Sequence, residues 1–358
     1  MADLIIRNAR IADGLGSPLI EGDLAVEAGK VSALGCIDAN GTEEVDAQGQ
    51  VLAPGAVDLH THYDAQLTWD PTASPSVALG VTTVVTGNCG FGVAPAPVDK
   101  RGLILANLAE VEGMSLDSLS AGMEWGFETF PEYLDFLKRK GAYPNVAVLA
   151  SHTVMRTAVM GEAGSERSST PEELESMLAL FREAMAAGAI GLGSSSNENH
   201  RGAGGVPIAS RLADDQEFRA FAEVLNEFDH GVFMMTCGEH HGISFLEELA
   251  SLSDKPSFYA PLFHFAHQPD RAINIVNAAA DSRTRGIPVY AQGSCQPLSL
   301  SFTLDHAYLL KAMSPWPATE DHTELRQILS DPSFRDAFRQ TLSAPESHHV
   351  FKGRWDWV

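Results

Sequence analysis

The chain has 358 residues, 44% of them hydrophobic, enough apolar material for one large domain or two ordinary ones. Its formal net charge of -23 at pH 7 opposes binding to a nucleic-acid backbone or an anionic membrane, and no apolar run approaches the roughly 18 residues of a membrane span. Cys36, Cys89, Cys237 and Cys295 are far apart, and the start, Met1-Ala-Asp-Leu-Ile-Ile-Arg-Asn, is too interrupted by charge for a signal peptide. Both features point to reduced thiols and a cytoplasmic protein.

In chain order, Leu4-Ile-Ile-Arg-Asn-Ala-Arg-Ile predicts a strand followed by a turn. Asp23 to Gly35 predicts a hairpin turning at Gly29-Lys30, and Glu44 to Val51 a further strand. Residues 1–52 thus form a small β module unable to close a sizeable core alone. From residue 53 to 358, strand-like runs alternate with helical ones, the pattern of repeated βα units and a parallel sheet. Strands are predicted near 57–62, 81–86, 145–150, 189–194, 231–236, 257–265 and 288–293. Helices are predicted over 170–187, 214–229 and 268–285, the first with Thr170 as N-cap and Pro171 at its first position. The fold class is therefore α/β: a TIM-like (β/α)8 barrel with about seven strands instead of eight, expected to stop before the eighth. Segment 91–144 is a long insertion after the second strand. Its Met123-Glu-Trp125-Gly-Phe127-Glu-Thr-Phe130 either seals a satellite core or lines a substrate mouth.

Two histidines close the first barrel strand, in Val51-Leu-Ala-Pro-Gly-Ala-Val-Asp-Leu-His60-Thr-His62-Tyr-Asp64. Side chains at i and i+2 of an extended chain face the same way, so His60 and His62 project together as half of a divalent-metal site. Cys89 ends the second strand between Asn88 and Gly90, small neighbours that let a thiolate approach a metal.

Pro54-Gly55-Ala-Val-Asp58-Leu-His60-Thr-His62 resembles the first barrel strand of the amidohydrolase superfamily. Gly87-Asn-Cys89-Gly-Phe-Gly92 resembles its N-acyl-D-amino-acid deacylase (D-aminoacylase) group, and the likeness runs from Leu4 to the C-terminus. The resemblance implies that residues 1–52 are half of a small β-sandwich whose other half comes from the C-terminus. It implies Zn2+ as cofactor with Cys89 as a ligand. Relatives that bridge two metals with a fourth-strand lysine find no counterpart in Ala189-Ile-Gly-Leu-Gly-Ser-Ser-Ser, and the thiolate is the natural substitute. At the fifth strand the group has a histidine after a threonine, where this chain has Cys237 after Thr236. Cys237, or His240 or His241 from the loop, could take that place, or the ligand is missing. His264 stands where the next ligand is expected, with His267 as the alternative. A Trp-Gly-x-Glu-Thr-Phe stretch also occurs in the group's insertion, and the group's general-base aspartate falls beyond Val358.

His152 ends the third predicted strand and could contact substrate, as could His200 after the fourth. Arg156 and Arg201 are bidentate donors suited to a substrate carboxylate. No Gly-x-Ser-x-Gly elbow and no Gly-x-x-x-x-Gly-Lys-Ser/Thr loop occurs. The expected activity is zinc-dependent hydrolysis of a small-molecule N-acyl-D-amino acid to a carboxylate and a D-amino acid. A cyclic-amide hydrolase of the dihydropyrimidinase type and a non-catalytic binding protein on the same barrel are the alternatives.

Overall fold

The computed structural model describes residues 1–202, 205–265, 268–295 and 321–343, with isolated positions between 299 and 319. The chain divides into two compact units, one of residues 1–57 and 80–83, the other of residues 58–79 and the chain from Val84 onward.

In the first unit, β1 (Ala2–Ile11), β2 (Ile20–Glu27), β3 (Lys30–Gly35) and β4 (Gly41–Asp46) form a sheet of order β3-β2-β1-β4, and β5 (Val51–Leu52) pairs with β1. The predicted hairpin is present with its turn one residue earlier. Ala28 and Gly29 take φ of +50° and +73°, the two left-handed residues of the tight turn that matches strand twist. The hydrophobic residues buried in this unit are Ile5, Ala9, Ile11 and Ala25, a thin core as its composition implies. Arg7 adds a polar clamp, donating to Asp23, to Glu44 and to the Ile37 and Ala39 carbonyls.

The remaining strands are parallel and follow one another in chain order. A three-stranded sheet has the order of β6 (Ala56–Asp58), β7 (Val81–Thr86) and β8 (Asn145–Val148). A five-stranded sheet runs from β9 (Ala150–Ser151) through β10 (Gly191–Ser195), β11 (Val232–Thr236) and β12 (Ser257–Leu262) to β13 (Val289–Gly293). Only Leu149 separates β8 from β9, so seven barrel-type strands stand where seven are predicted. Among the described residues β6 and β13, the two ends of the order, are not neighbours in a sheet. The arrangement is an α/β barrel of the expected type with an N-terminal β module.

Helices α1 (Arg101–Glu112), α2 (Leu116–Gly122) and α3 (Phe130–Lys140) occupy the insertion. Its aromatics pack: Phe127 lies 4.8 Å from Tyr133 and 5.5 Å from Phe136, all three buried. Trp125 sits under the Arg101 guanidinium at 4.8 Å. These aromatics pack, but into the main hydrophobic core with the barrel strands and not into a satellite core of their own. Helix α4 (His152–Met160) begins at once after β9, so His152 opens a helix instead of ending a strand. Helix α5 (Pro171–Ala187) starts as predicted: the Thr170 hydroxyl accepts from the Glu173 N–H, and the Glu173 carboxylate accepts from the Thr170 N–H. Helices α6 (Asp215–Leu225), α7 (Ile243–Ser253) and α8 (Arg271–Thr284) complete the layer around β10 to β13, and α9 (His322–Ser330) and α10 (Pro332–Ser343) follow.

Strand registers decide which side chains face the site. Ser195 pairs with Thr236, and Thr236 with Ala260. Because successive residues alternate faces, Ser194 and Cys237 lie on the face opposite Ser195 and Thr236.

Candidate metal centre

His60 and His62 follow β6 in a turn whose geometry is pinned by the residue between them. Thr61 donates to the Val85 carbonyl through both its backbone N–H, at 3.1 Å, and its hydroxyl, at 2.7 Å. Thr61 therefore faces inward, and the two imidazoles emerge together with ring centres 5.3 Å apart. Cys89 comes from the turn after β7. Asn88 is buried beneath it and donates to the Val85 and Thr61 carbonyls, tying the cysteine turn to the histidine turn.

One ligand atom from each of His60, His62 and Cys89 lies within 4.8 Å of the others. His60 Nε2 is 3.1 Å from the Cys89 sulfur, which also accepts a hydrogen bond from the Thr236 hydroxyl at 3.1 Å. His60 Nδ1 is 3.1 Å from the Gln292 side-chain oxygen on β13. A carboxamide oxygen only accepts, so Nδ1 carries the proton and Nε2 keeps its lone pair toward the sulfur. Burial, and then repulsion from His62, pulls the His60 pKa down to about 4, against the Gln292 hydrogen bond. Burial alone brings His62 to about 4. Both rings are therefore neutral at pH 7, the state a metal requires. Two imidazoles and a thiol within one ion's reach form a donor set that suits zinc.

The other expected ligands do not join this group. Cys237 lies on the face opposite Thr236. Its thiol donates to the Met235 carbonyl at 3.7 Å, burial pushes its pKa up, and it is not in the His60, His62 and Cys89 group. His240 is exposed, and His241 packs tilted against Phe245 with ring centres 4.5 Å apart and pairs with Asp215 at 3.1 Å. His264 is exposed and belongs to no metal-type group among the described residues; His267 lies outside them.

The expected substrate contacts divide. His152 and Arg156 are fully buried, which corrects their assignment. His152 Nδ1 is 2.8 Å from Ser194 Oγ and its Nε2 2.7 Å from Glu217, while Arg156 donates to both Glu217 oxygens at 2.6 and 2.5 Å. Burial pushes the Glu217 carboxyl upward, but His152 and Arg156 outweigh it and hold the pKa near 2. A short polar helix start after a strand reads like an active-site loop; α6 covers it. His200 does face the centre. Its pKa falls to about 3 through burial first and then through His62 and His60, and Phe91 stands between its ring, at 5.5 Å, and that of His62, at 6.2 Å. Arg201 donates to the Gly205 carbonyl at 3.0 Å. Gln292 is marked by no motif, and Thr236 only as the threonine before Cys237, with no role of its own. A signal shared by both is their place at or near the ends of predicted strands.

Parallel strands that bring two imidazoles and a thiol together near their carboxyl ends define an α/β-barrel class with a metal-type donor group on that face. Within that class the chain belongs to the amidohydrolase family, whose model matches residues 43–331. It is 42% identical over 192 residues to N-acyl-D-aspartate deacylase of Alcaligenes xylosoxydans xylosoxydans, covering 53% of this chain and 36% of that protein. It is 39% identical over 191 residues to D-aminoacylase of the same organism, covering 53% of this chain and 37% of that protein. The matched segment therefore spans little more than a third of these curated relatives. A D-aminoacylase crystal structure superposes with a TM-score of 0.65 at 26% identity, over 82% of this chain and 58% of that one. An N-acyl-D-glutamate deacylase of Bordetella bronchiseptica, solved with zinc and a phosphonate inhibitor, gives 0.65 at 25% identity, over 81% and 58%. No helix among the described residues is long and apolar enough to cross a membrane.

Proposed function

We propose that this chain carries the metal centre of a zinc-dependent hydrolase that cleaves the amide bond of N-acyl-D-amino acids, yielding a carboxylate and a D-amino acid. The observation that carries the reading is the convergence of Cys89 with His60 and His62, a thiol in a site built otherwise from imidazoles. The similarity to deacylases of D-amino acids supports it.

Zinc, when bound, lowers the pKa of a coordinated water and polarises a scissile carbonyl. The chain's residues supply the rest. Gln292 holds His60 in the tautomer that presents Nε2, Thr61 sets the angle between the two rings, and Thr236 donates to the Cys89 sulfur and stabilises its thiolate. Arg201 is the nearer of the two expected arginines to His200 in sequence and is the one we assign to a substrate carboxylate.

The test is zinc per chain by elemental analysis, together with release of free amino acid from N-acetyl-D- and N-acetyl-L-amino acids. Zinc near one equivalent or above and turnover of the D-series support the reading. Tight zinc with no turnover of any N-acyl amino acid would make the chain a binding protein on this barrel and end the deacylase assignment.

A further inference from the structure

We propose that His200 is a hydrogen-bond donor to a substrate oxygen, acting through a protonated Nε2, and is not a metal ligand. The assignment deepens the hydrolase reading above and rests on it for the identity of the oxygen.

It begins at Ser195, the last residue of β10, which is fully buried on the face that carries Thr236. The Ser195 hydroxyl oxygen accepts the backbone N–H of Asn197 at 3.2 Å and lies 2.7 Å from His200 Nδ1. A hydroxyl has one proton to give. Among the described residues the only acceptor in reach of that proton is His200 Nδ1. Were Nδ1 protonated instead, Ser195 would receive two donors, and its own O–H would be buried without an acceptor, an unfavourable arrangement. The low-energy arrangement has Ser195 donating to Nδ1. His200 is then uncharged, with its proton on Nε2.

That tautomer removes His200 from the ligand set. Its Nδ1 lone pair is used by Ser195, and Nε2 has none to offer. What remains is an N–H with no hydrogen-bond partner among the described residues, on a ring that shares Phe91 with His62. Ser195 is itself fixed, because its carbonyl accepts from Ser210, which in turn accepts from Thr153 at 2.9 Å. A neutral, preorientated N–H beside a hydrolytic centre binds most strongly to an oxygen that gains negative charge. A carbonyl oxygen becoming tetrahedral does so, and the bond therefore strengthens as the reaction advances.

Three measurements test this. Imidazole 15N NMR of histidine-labelled protein should show the His200 ring as the neutral Nε2–H tautomer, and Ser195→Ala should shift that resonance toward a tautomer mixture. His200→Ala and His200→Gln should both keep the zinc content of the wild type. In turnover, His200→Ala should lower kcat by about 10²–10³-fold with a smaller change in KM. Gln carries an amide N–H near the Nε2 position, so His200→Gln should recover part of the loss, and His200→Asn should not. An Nδ1–H tautomer, or loss of zinc from His200→Ala, overturns the assignment. If the protein turns over no N-acyl-D-amino acid, the activity reading fails by itself, and the NMR and zinc measurements still decide the role of His200.

Discussion

Cys89 holds φ of +56°, a left-handed conformation that costs a non-glycine residue free energy, and it does so between Gly87 at +80° and Gly90 at +74°. The two glycines take the rest of the reversal, so the strain falls on the one residue whose sulfur must turn toward His60. If that sulfur is a ligand, Cys89→Ala should lose bound zinc and nearly all activity while the fold is kept. Cys89→Asp should keep some metal, because a carboxylate restores charge through a harder oxygen. Elemental analysis and circular dichroism check both, and wild-type zinc in Cys89→Ala would remove the thiolate from the site. The imidazoles set a pH dependence. His60 and His62 have folded pKa values of about 4, below their ordinary 6.5, so their contribution to stability is complete above pH 6.5. It is lost as the pH falls from 6.5 through 4, where the unfolded chain binds protons that the folded chain refuses. Urea midpoints of the metal-free protein should fall across that window, and His62→Gln should make the fall shallower.

At the scale of elements, the turns bearing the ligands are held by close backbone approach. A Cβ on Gly193 of β10 would lie 1.9 Å from the Gly87 carbonyl oxygen, and one on Gly87 would lie 2.1 Å from the Leu149 carbonyl. Gly193→Ala should therefore push the Cys89 turn away from β10, costing about 1–3 kcal/mol and weakening zinc binding without touching a ligand. Gly102 in α1 is the control. A Cβ there meets nothing within 4 Å, so Gly102→Ala should be neutral or stabilise by up to about 1 kcal/mol. Melting temperatures and zinc titration distinguish the two. The cluster of His152, Arg156 and Glu217 ties α4 and α6 to β10 by the same kind of close contact. Glu217→Gln leaves the Arg156 charge buried without its carboxylate and should cost about 3–5 kcal/mol, with Arg156→Met/Glu217→Gln milder than the single change. Equal denaturation midpoints for Glu217→Gln and wild type would show the pair to be dispensable.

At the scale of the whole molecule, a net charge of -23 favours solubility, while particular edges oppose it. β3 is an edge strand of the first sheet and exposes Val31 and Leu34, at 59% and 58%. An apolar edge with unpaired backbone groups invites pairing with another chain. Sedimentation of the expressed protein should therefore show concentration-dependent association, and Leu34→Lys should reduce it. Identical behaviour of the two would place any association elsewhere. Much of this architecture was legible beforehand, because it depends on local rules. Alternating apolar runs predicted all seven barrel-type strands, Thr170-Pro171 marked the start of α5, and His60-Thr61-His62 with Cys89 marked the centre through two-residue periodicity and strand ends. What the sequence by itself determined was therefore the kind of fold, the amidohydrolase family and three of the metal-type donors. Only the tertiary structure decided that Thr236, the last residue of β11, reaches Cys89 while the Cys237 thiol turns to the Met235 carbonyl. It also decided that His152 and Arg156 are sealed by Glu217 from 61 or more residues along the chain, and that Gln292 reaches His60 across 232. Facing, burial and long-range partnership are properties of packed elements, and no spacing within one segment encodes them.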